Sequence, residues 1–497
     1  MKRAIYMLFV ILPFAVNSQN MYNITDLFDD APSGTARFMS MGGSMSALGG
    51  DLSVMGTNPA GTAVYRSNDI NLTGIFDIVN NSAKYEKSVS PSGYNGAALG
   101  NLGFVIACEI EDSYLRFLNF GVNYRRKNNF RNNFAMEGPS GAFSQQYVFD
   151  YLYSLNPFDP TKINSGMYSG FDYNWLALLA HDTYVFDEDG YFYTPAKLGY
   201  SSVVRGGLNM CDFNLSANID DRVYIGASLG YYNLDYSRSS YYYEDDEFDK
   251  RIYSLNNEYR ISGAGYDFKL GLIVRPFEYS PFKISAFAHT PVMYRFMDRS
   301  SAYMTGPEGD VFDTAHEDCY GDDVYVTYRL NTPWKFGAGA SYTFGRYLAL
   351  NAEYEYSNVA GTSFTNGEGI DIAQNEEISY NLKAQHKVRI GAEVPLKKFA
   401  LRAGYNYISS PFTADAYKCM SNATMVDTST EYMNKYSKNV FTFGLGYTSK
   451  LLYIDFAYMC QKQKSDFYPF YDEDYVNPSA AVSTTSHSIV AAVGIRF

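Results

Sequence analysis

From residue 68 to the last residue, the chain repeats one pattern: segments of about ten residues in which apolar and polar or small side chains alternate with period two. In the final segment Ile489, Ala491, Val493, Ile495 and Phe497 share one face, while Ser488, Val490, Ala492, Gly494 and Arg496 share the other. A strand sends successive side chains to opposite sides, so each segment predicts a strand with one apolar flank. The arithmetic repeats at 399–408, 348–357, 388–394, 118–124 and 223–231. Strands are expected at 68–79, 101–110, 116–131, 204–219, 223–237, 259–275, 282–296, 324–343, 348–358, 378–395, 399–408, 439–447, 451–464 and 484–497. That is about fourteen, an even number, as a single-chain bacterial barrel requires.

Alternation alone fits a soluble sandwich as well as a membrane barrel, which differ only in which flank meets water. Three further features favour the barrel. Short connections at 220–222, 344–346, 396–398 and 448–450 alternate with long ones at 237–259, 297–324, 359–377, 409–438 and 465–483. Aromatic pairs such as Tyr405 with Tyr407, Tyr354 with Tyr356 and Tyr231 with Tyr232 gather at strand ends, where a ring with a polar tip suits the boundary between hydrocarbon and water. The last strand ends on Phe497, the terminus expected to engage the outer-membrane insertion machinery. The fold class expected is all-β, a transmembrane antiparallel barrel of about fourteen strands.

Lys2 and Arg3 precede a mostly apolar run over 4–16, too short to span a bilayer, so residues 1–18 are expected to be a signal peptide. No later stretch reaches the roughly 18 apolar residues of a spanning helix. No linker divides the 497 residues. The net charge of −13 argues against nucleic acid as a partner. Of the five cysteines, Cys108, Cys211 and Cys460 fall in or beside strands, and Cys319 and Cys419 in loops, where a bridge between them is one reading. No metal, redox or haem-attachment spacing occurs, the five histidines (His181, His289, His316, His386, His487) are read as loop or lumen residues, and no cofactor or metal is expected.

The stretch 33–65 differs from everything after it, being built of Gly, Ala, Ser and Met with Arg37 and Asp51 as its charges. Glycines allow close backbone approach and methionines fill irregular space. Taken alone it fits either an ordinary N-terminal loop region or a plug. A barrel of fourteen strands is too wide for its own side chains to fill, which favours the plug. Residues 19–66 are therefore expected to form a hatch inside the lumen of a barrel made by 67–497, with Phe38, Met39, Met41 and Met55 as its candidate lining. Glu353, Glu355, Lys387, Arg389, Glu393 and Arg402 are the candidate lumenal charge network fixing wall to plug. A long insertion at about 132–202 carries apolar residues at helical spacing (Val148, Tyr151, Leu152, Leu155) and a second apolar patch at 175–179, read as short helices serving as a lid or packing on themselves. Gly226-Ala-Ser-Leu-Gly matches a nucleophile elbow but lies within a strand, so no catalytic residue is assigned. The acidic runs at 187–189, 244–247, 322–323 and 472–474 lack a cation-binding spacing and are read as solvated loop tips.

The segments Gly34-Thr-Ala-Arg, Met41-Gly-Gly, Ala47-Leu-Gly-Gly-Asp, Asn58-Pro-Ala-Gly, Thr332-Pro-Trp-Lys-Phe-Gly-Ala-Gly-Ala-Ser-Tyr, Arg389-Ile-Gly-Ala-Glu-Val and Leu401-Arg-Ala-Gly-Tyr, with the final strand, resemble the FadL/TodX family of outer-membrane transporters for hydrophobic compounds. The resemblance implies a fourteen-strand barrel in a Gram-negative outer membrane, a hatch whose gating motif is Asn58, Pro59 and Ala60, and passive uptake of fatty acids or aromatic hydrocarbons with exit through the wall. The expected partners are a hydrophobic small molecule, outer-membrane lipid and lipopolysaccharide. The third strand holds Gly121 but no proline, so the sequence does not establish an inward kink there. The alternative is a surface-binding or assembly barrel, adhesin-like or haemin-binding, that transports nothing.

Overall fold

The structure, a computed structural model, describes residues 21–28, 31–141, 143–155, 157, 174–185, 193–313, 324–366, 374–418, 420, 427–471 and 477–497. The expected signal peptide, the Cys319–Cys419 bridge, His316, and the acidic runs at 187–189, 322–323 and 472–474 lie outside the described residues. Cys108, Cys211 and Cys460 are free thiols.

The chain forms a closed antiparallel barrel of 14 strands. In order they are β1 (Asp69–Tyr85), β2 (Ser88–Glu109), β3 (Leu115–Asn129, continued by Asn132–Pro139), β4 (Lys197–Ile219), β5 (Val223–Asp245), β6 (Arg251–Val274) and β7 (Lys283–His289 and Met293–Thr305). There follow β8 (Val324–Asn331 and Lys335–Phe344), β9 (Leu348–Asn358 and Ser363–Asn366), β10 (Ala384–Leu396), β11 (Phe399–Ile408), β12 (Tyr432–Thr448), β13 (Leu452–Tyr468) and β14 (Ala480–Arg496). β14 pairs back onto β1, from Asp69↔Arg496 to Lys84↔Ala481, which closes the ring.

The alternation resolves as a membrane barrel demands. Along β9, Leu350, Ala352, Tyr354 and Tyr356 face outward and are exposed, while Asn351, Glu353, Glu355 and Ser357 face the lumen and are buried. Paired breaks interrupt β7 and β8 at Pro291 and Pro333, residues that cannot donate to a ladder. The backbone there is rejoined by Thr332, whose hydroxyl accepts from Val292 N at 2.8 Å and whose own N–H donates to Val292 O at 3.1 Å.

Several strands outrun their sequence-based bounds. β5 has 23 residues and β6 has 24, about twice the 9–11 that cross a bilayer, so both project beyond it. The projecting ends, 237–245 and 251–259, are rich in Ser, Asn and Tyr and show no period-two apolar flank. For the same reason the first hairpin, whose strands were expected to end at 79 and resume at 101, is continuous strand with a tight turn at Glu86 and Lys87. The insertion, expected over 132–202, begins instead after Pro139, because Asn132–Pro139 pairs with 197–204 of β4. Its helices Gln146–Leu155 and Trp175–Asp182 form where the apolar spacing predicts them. They bury Val148, Phe149, Leu152, Leu176 and Leu179 in one cluster with Tyr200, Tyr242, Tyr253 and Phe467 of the projecting strands. Glu244, fully buried at 0 % exposure, pins this cap: its carboxylate accepts from Ser144 Oγ at 2.6 Å, Gln145 N at 2.7 Å, Tyr242 OH at 2.7 Å and Gln146 Nε2 at 3.2 Å. The acidic run 244–247, read from sequence as a solvated loop tip, therefore begins with a structural anchor.

Removing that acceptor costs about 1–3 kcal/mol for each buried donor left unmet. Glu244→Ala should therefore speed limited proteolysis within 143–185 severalfold, and Glu244→Gln much less, with the heat stability of the barrel unchanged in both.

Candidate functional site

Residues 31–65 lie inside the ring, almost all of them buried. Three short helical turns order the segment, each opened by a side-chain cap: Thr35 accepts from Phe38 N, Asp51 from Ser53 N, and Asn58 from Ala60 N. Pro59 follows Asn58 in the first helical position, where its missing N–H costs nothing. The Asn58 amide also donates to Ser46 O at 2.8 Å, tying the motif to the opposite limb of the segment.

The wall meets this segment through glycines. A Cβ built on Gly271 would lie 1.9 Å from Asn58 Oδ1, and one on Gly226 would lie 2.4 Å from Pro59 O. Gly391 and Gly404 receive Met41 in the same way, Gly444 receives Ser40, and Gly121 receives the Met55 methyl. Lumenal amides complete the seat: Asn119 donates to Thr62 O at 2.9 Å and Tyr65 O at 3.0 Å, Asn214 to Pro59 O at 3.2 Å, and Arg125 to Gly56 O at 3.1 Å. His289 Nε2 donates to Thr57 O at 2.5 Å.

The six charged residues singled out in the sequence fall into two groups on the lumenal face. Arg389 pairs with Glu353 and, at 3.0 Å, with Glu355, which also binds Lys387 at 3.0 Å. Glu393 takes Arg402 at 2.6 Å and Arg37 of the inner segment at 2.9 Å, and Arg402 reaches Asp455 at 2.5 Å. Glu353 also accepts from Ser46 N at 3.2 Å. Two contacts therefore carry this charge onto the inner segment, through Arg37 and Ser46. The sequence reading missed Asp455 and a third cluster, Lys269 with Asp212 at 2.8 Å and Asp267 at 2.6 Å, all three buried. Its signal was available: Asp212 on the lumenal register of β4, and Asp267 with Lys269 two residues apart on that of β6. Phe38 packs with Met41, Met45 and Val54 as the segment's own core, Met39 against Val440, Ala457 and Met459 of the wall, and Met55 with Leu52, Tyr65 and Val105.

Two histidines correct the sequence reading. His386 and His487 are neither in loops nor in the lumen; they lie on the outward face, bonded to the hydroxyls of Tyr354 and Tyr458 at 2.7 Å. Their strands carry the sign alternation that puts them there, and a ring beside tyrosine suits the edge of the apolar band.

The wall has a seam between β2 and β3. β3 pairs with β2 only over 101–109, ending at Asn101↔Arg125. From Ser88 to Gly100, β2 has its ladder with β1 alone. A bulge places Gly100 opposite nothing where the seam opens, and β3 shifts register between Arg126 and Asn128 before breaking after Asn129. Opposite that break, Gly206 has φ +102, and a Cβ there would lie 2.0 Å from Asp235 O, so only glycine fits. The interruption of β3 is thus accompanied by a register shift and by Gly206 on the neighbouring strand, with no proline in it. Pro91 sits on the unpaired edge of β2, where its missing N–H is tolerated. Side chains bridge the seam instead of a ladder: Asn133 donates to Gly93 O at 2.9 Å, Arg131 to Tyr94 OH at 3.1 Å, Asn129 to Asp77 Oδ2 at 2.9 Å, and Asn81 to Asn132 Oδ1 at 2.7 Å. Behind it lies a cavity of about 250 Å³ whose walls include Met39, Ile75, Ala98, Phe130, Arg126 and Lys435. A hollow of about 460 Å³ on the other side of the seam shares Val79 with it.

No family model matches the sequence, and no curated protein does. Solved structures do. A FadL homologue from Pseudomonas aeruginosa superposes with a TM-score of 0.53 at 12% identity, covering 94% of this chain and 98% of that one. The toluene transporter TodX of Pseudomonas putida gives 0.52 at 13%, covering 94% and 99%, and a TodX monoaromatic hydrocarbon channel with a deltaS2 mutation gives 0.54 at 12%, covering 95% and 100%. This chain has the FadL fold. Identity this low makes the likeness one of fold. The recurrent glycines, cap residues and lumenal charges described above are what this FadL-type barrel uses to hold its own N-terminus.

Gly271→Leu should unseat Asn58 and raise single-channel conductance in planar bilayers severalfold, with the strand content unchanged by circular dichroism. An unaltered trace would show that the Asn58 contact does not seal the lumen. In the outer loops, burial pushes the Glu377 carboxyl up to about 7, with Lys418 opposing and Asp427 adding to it. A raised carboxyl pKa stabilises the packed state below its unfolded value and loses that contribution as pH rises through 7. Amide exchange of the helix Gln374–Asn381 should therefore be faster at pH 8 than at pH 6, beyond the intrinsic effect of pH.

Proposed function

We propose that this protein is an outer-membrane channel for passive uptake of hydrophobic small molecules, with residues 31–65 acting as the gate and the β2–β3 seam as the exit into the membrane. The observation that carries this reading is the seam itself. Unpaired backbone in hydrocarbon costs several kcal/mol per group, so this strand edge is expensive where it enters the lipid-facing band, beside the outward Ala97 and Leu99. It is tolerated where it lines a path. Here it lies between an inner cavity and an outer hollow, and the bridging Asn and Arg side chains can part without unfolding a strand. An apolar solute leaving by this route avoids re-entering water, which costs about 25 cal/mol per Å² of apolar surface.

The inner segment supports the gating part of the proposal. It fills the lumen through many small polar contacts and glycine seats, none of them covalent, so it can shift as a unit. No source of energy is needed, and flux follows the gradient. The structural neighbours named as a toluene transporter and a monoaromatic hydrocarbon channel point the same way.

Proteoliposomes should take up radiolabelled oleate or toluene faster than protein-free vesicles, and equal rates for both solutes would sink the proposal. Ala98→Trp, which fills the cavity behind the seam, should cut that uptake about tenfold, a loss of about 1.4 kcal/mol in the transport barrier. Uptake unchanged by Ala98→Trp would send the exit elsewhere.

A further inference from the structure

Rising from the short turns, the outward flank of β6, β7 and β8 changes chemistry within one step. Phe268, Tyr266, Met293, Trp334 and Phe336 are all exposed on it, and the Trp334 and Phe336 rings stack at 6.0 Å. Tyr266 and Met293 are cross-strand partners at the top of this apolar zone. The next outward residue on β7 is Arg295 and the next on β8 is Arg329, and these two are direct partners in the ladder. Four residues beyond Arg295, Arg299 is the direct partner of Arg260 on β6. All four arginines are exposed.

This arrangement works against the sheet. Like charges directly opposite each other on one face are destabilising, and here two such pairs lie one above the other. The chain as a whole is acidic, with a net charge of −13, so the cations are concentrated against its overall balance. Asp235 meets Arg260 at 3.1 Å, and Glu258 stands two residues beyond it, so the upper pair has acidic neighbours. Among the described residues no carboxylate is ion-paired with Arg295 or Arg329. At about 3.3 Å per residue the two pairs are about 13 Å apart along β7, about the length of a disaccharide. A guanidinium presents a planar fork that fits a phosphate with two parallel hydrogen bonds. The pairs sit directly above an aromatic-edged apolar band, the level at which lipid headgroups begin.

We propose that this flank binds one lipopolysaccharide molecule of the outer leaflet through its lipid A, a disaccharide with a phosphate at each end and acyl chains below. One phosphate lies between Arg295 and Arg329, the other beside Arg260 and Arg299, and the acyl chains lie along the apolar residues beneath. The phosphates supply the negative charge that the opposed arginines lack. A phospholipid, with a single phosphate, engages one pair and leaves the other. The site rests on the outer-membrane placement in the reading above and does not depend on which solute the barrel carries.

The test uses full-length protein in detergent, stripped of co-purified lipid and titrated with lipid A, with dephosphorylated lipid A or with phosphatidylglycerol, bound copies being read by native mass spectrometry. One lipid A should bind, about tenfold more tightly than either of the others. Arg295→Gln/Arg329→Gln should weaken lipid A about tenfold, whereas Lys462→Gln/Lys464→Gln, which removes two exposed cations from the outward side of β13, should leave it unchanged. Without lipid A, the arginine variant should melt no lower than the natural chain, because its like-charge opposition is gone. A much lower melting temperature would make the arginines structural and overturn the proposal. So would equal weakening by the lysine variant, or equal binding of dephosphorylated lipid A. Phosphatidylglycerol binding as tightly as lipid A would overturn the assignment of two phosphates. The uptake reading fails separately: proteoliposomes made without lipopolysaccharide test it, and lipid A binding stands or falls whatever their flux.

Discussion

Everything in this structure follows from the rule that backbone N–H and C=O groups in hydrocarbon must find partners within the protein. A sheet satisfies it only by closing on itself, and the pairing of β14 with β1 does so. Closure at this strand number leaves an interior too wide for wall side chains alone, and the chain fills it with its own N-terminus. The same rule makes the β2–β3 seam informative. Where the ladder is missing, Asn, Arg and Tyr side chains stand in for it, and they are groups that can exchange partners one at a time.

The inner segment is held by geometry more than by charge. Glycines of the wall, at Gly226, Gly271, Gly391, Gly404 and Gly444, bring its backbone against the strands, so each contact is van der Waals packing and a short hydrogen bond rather than a long ionic reach. Arg37 with Glu393 is the exception, and it ties the first helical turn of the segment to β10. Seats of this kind are specific yet individually weak. Toward the outer mouth the lumen changes character, from amides and small residues to tyrosine and phenylalanine. Met21–Phe28 lies in that aromatic zone and has none of the capped turns that order 31–65.

Much of the barrel was legible because lipid outside and polar contents inside write a period of two onto every span. The bounds of the first part of β9, Leu348–Asn358, and of β11 were read to the residue. Legibility failed where that contrast failed. Beyond the bilayer, in the first hairpin and in Asn132–Pro139, both faces are polar or both are covered, so strand looks like loop. Of the charged residues, Glu353, Glu355, Lys387 and Arg389 were readable as a network because they share a lumenal register on paired strands, whereas Asp455 stands singly on its strand and Asp212 is separated by β5 from Asp267 and Lys269.

By itself the sequence determined that strands would form, about how many, and which flank of each is apolar, because side-chain alternation depends on local backbone geometry alone. It also marked 33–65 as material for close packing, since glycine and methionine have that use wherever they lie. Only the tertiary structure decided that β3 leaves β2 after Arg125, that Gly206 lies opposite the break in β3, and that Asp26 meets Lys435. Those depend on how strands far apart in the chain are staggered around the ring, and the stagger is fixed by closure of the whole barrel rather than by any one segment.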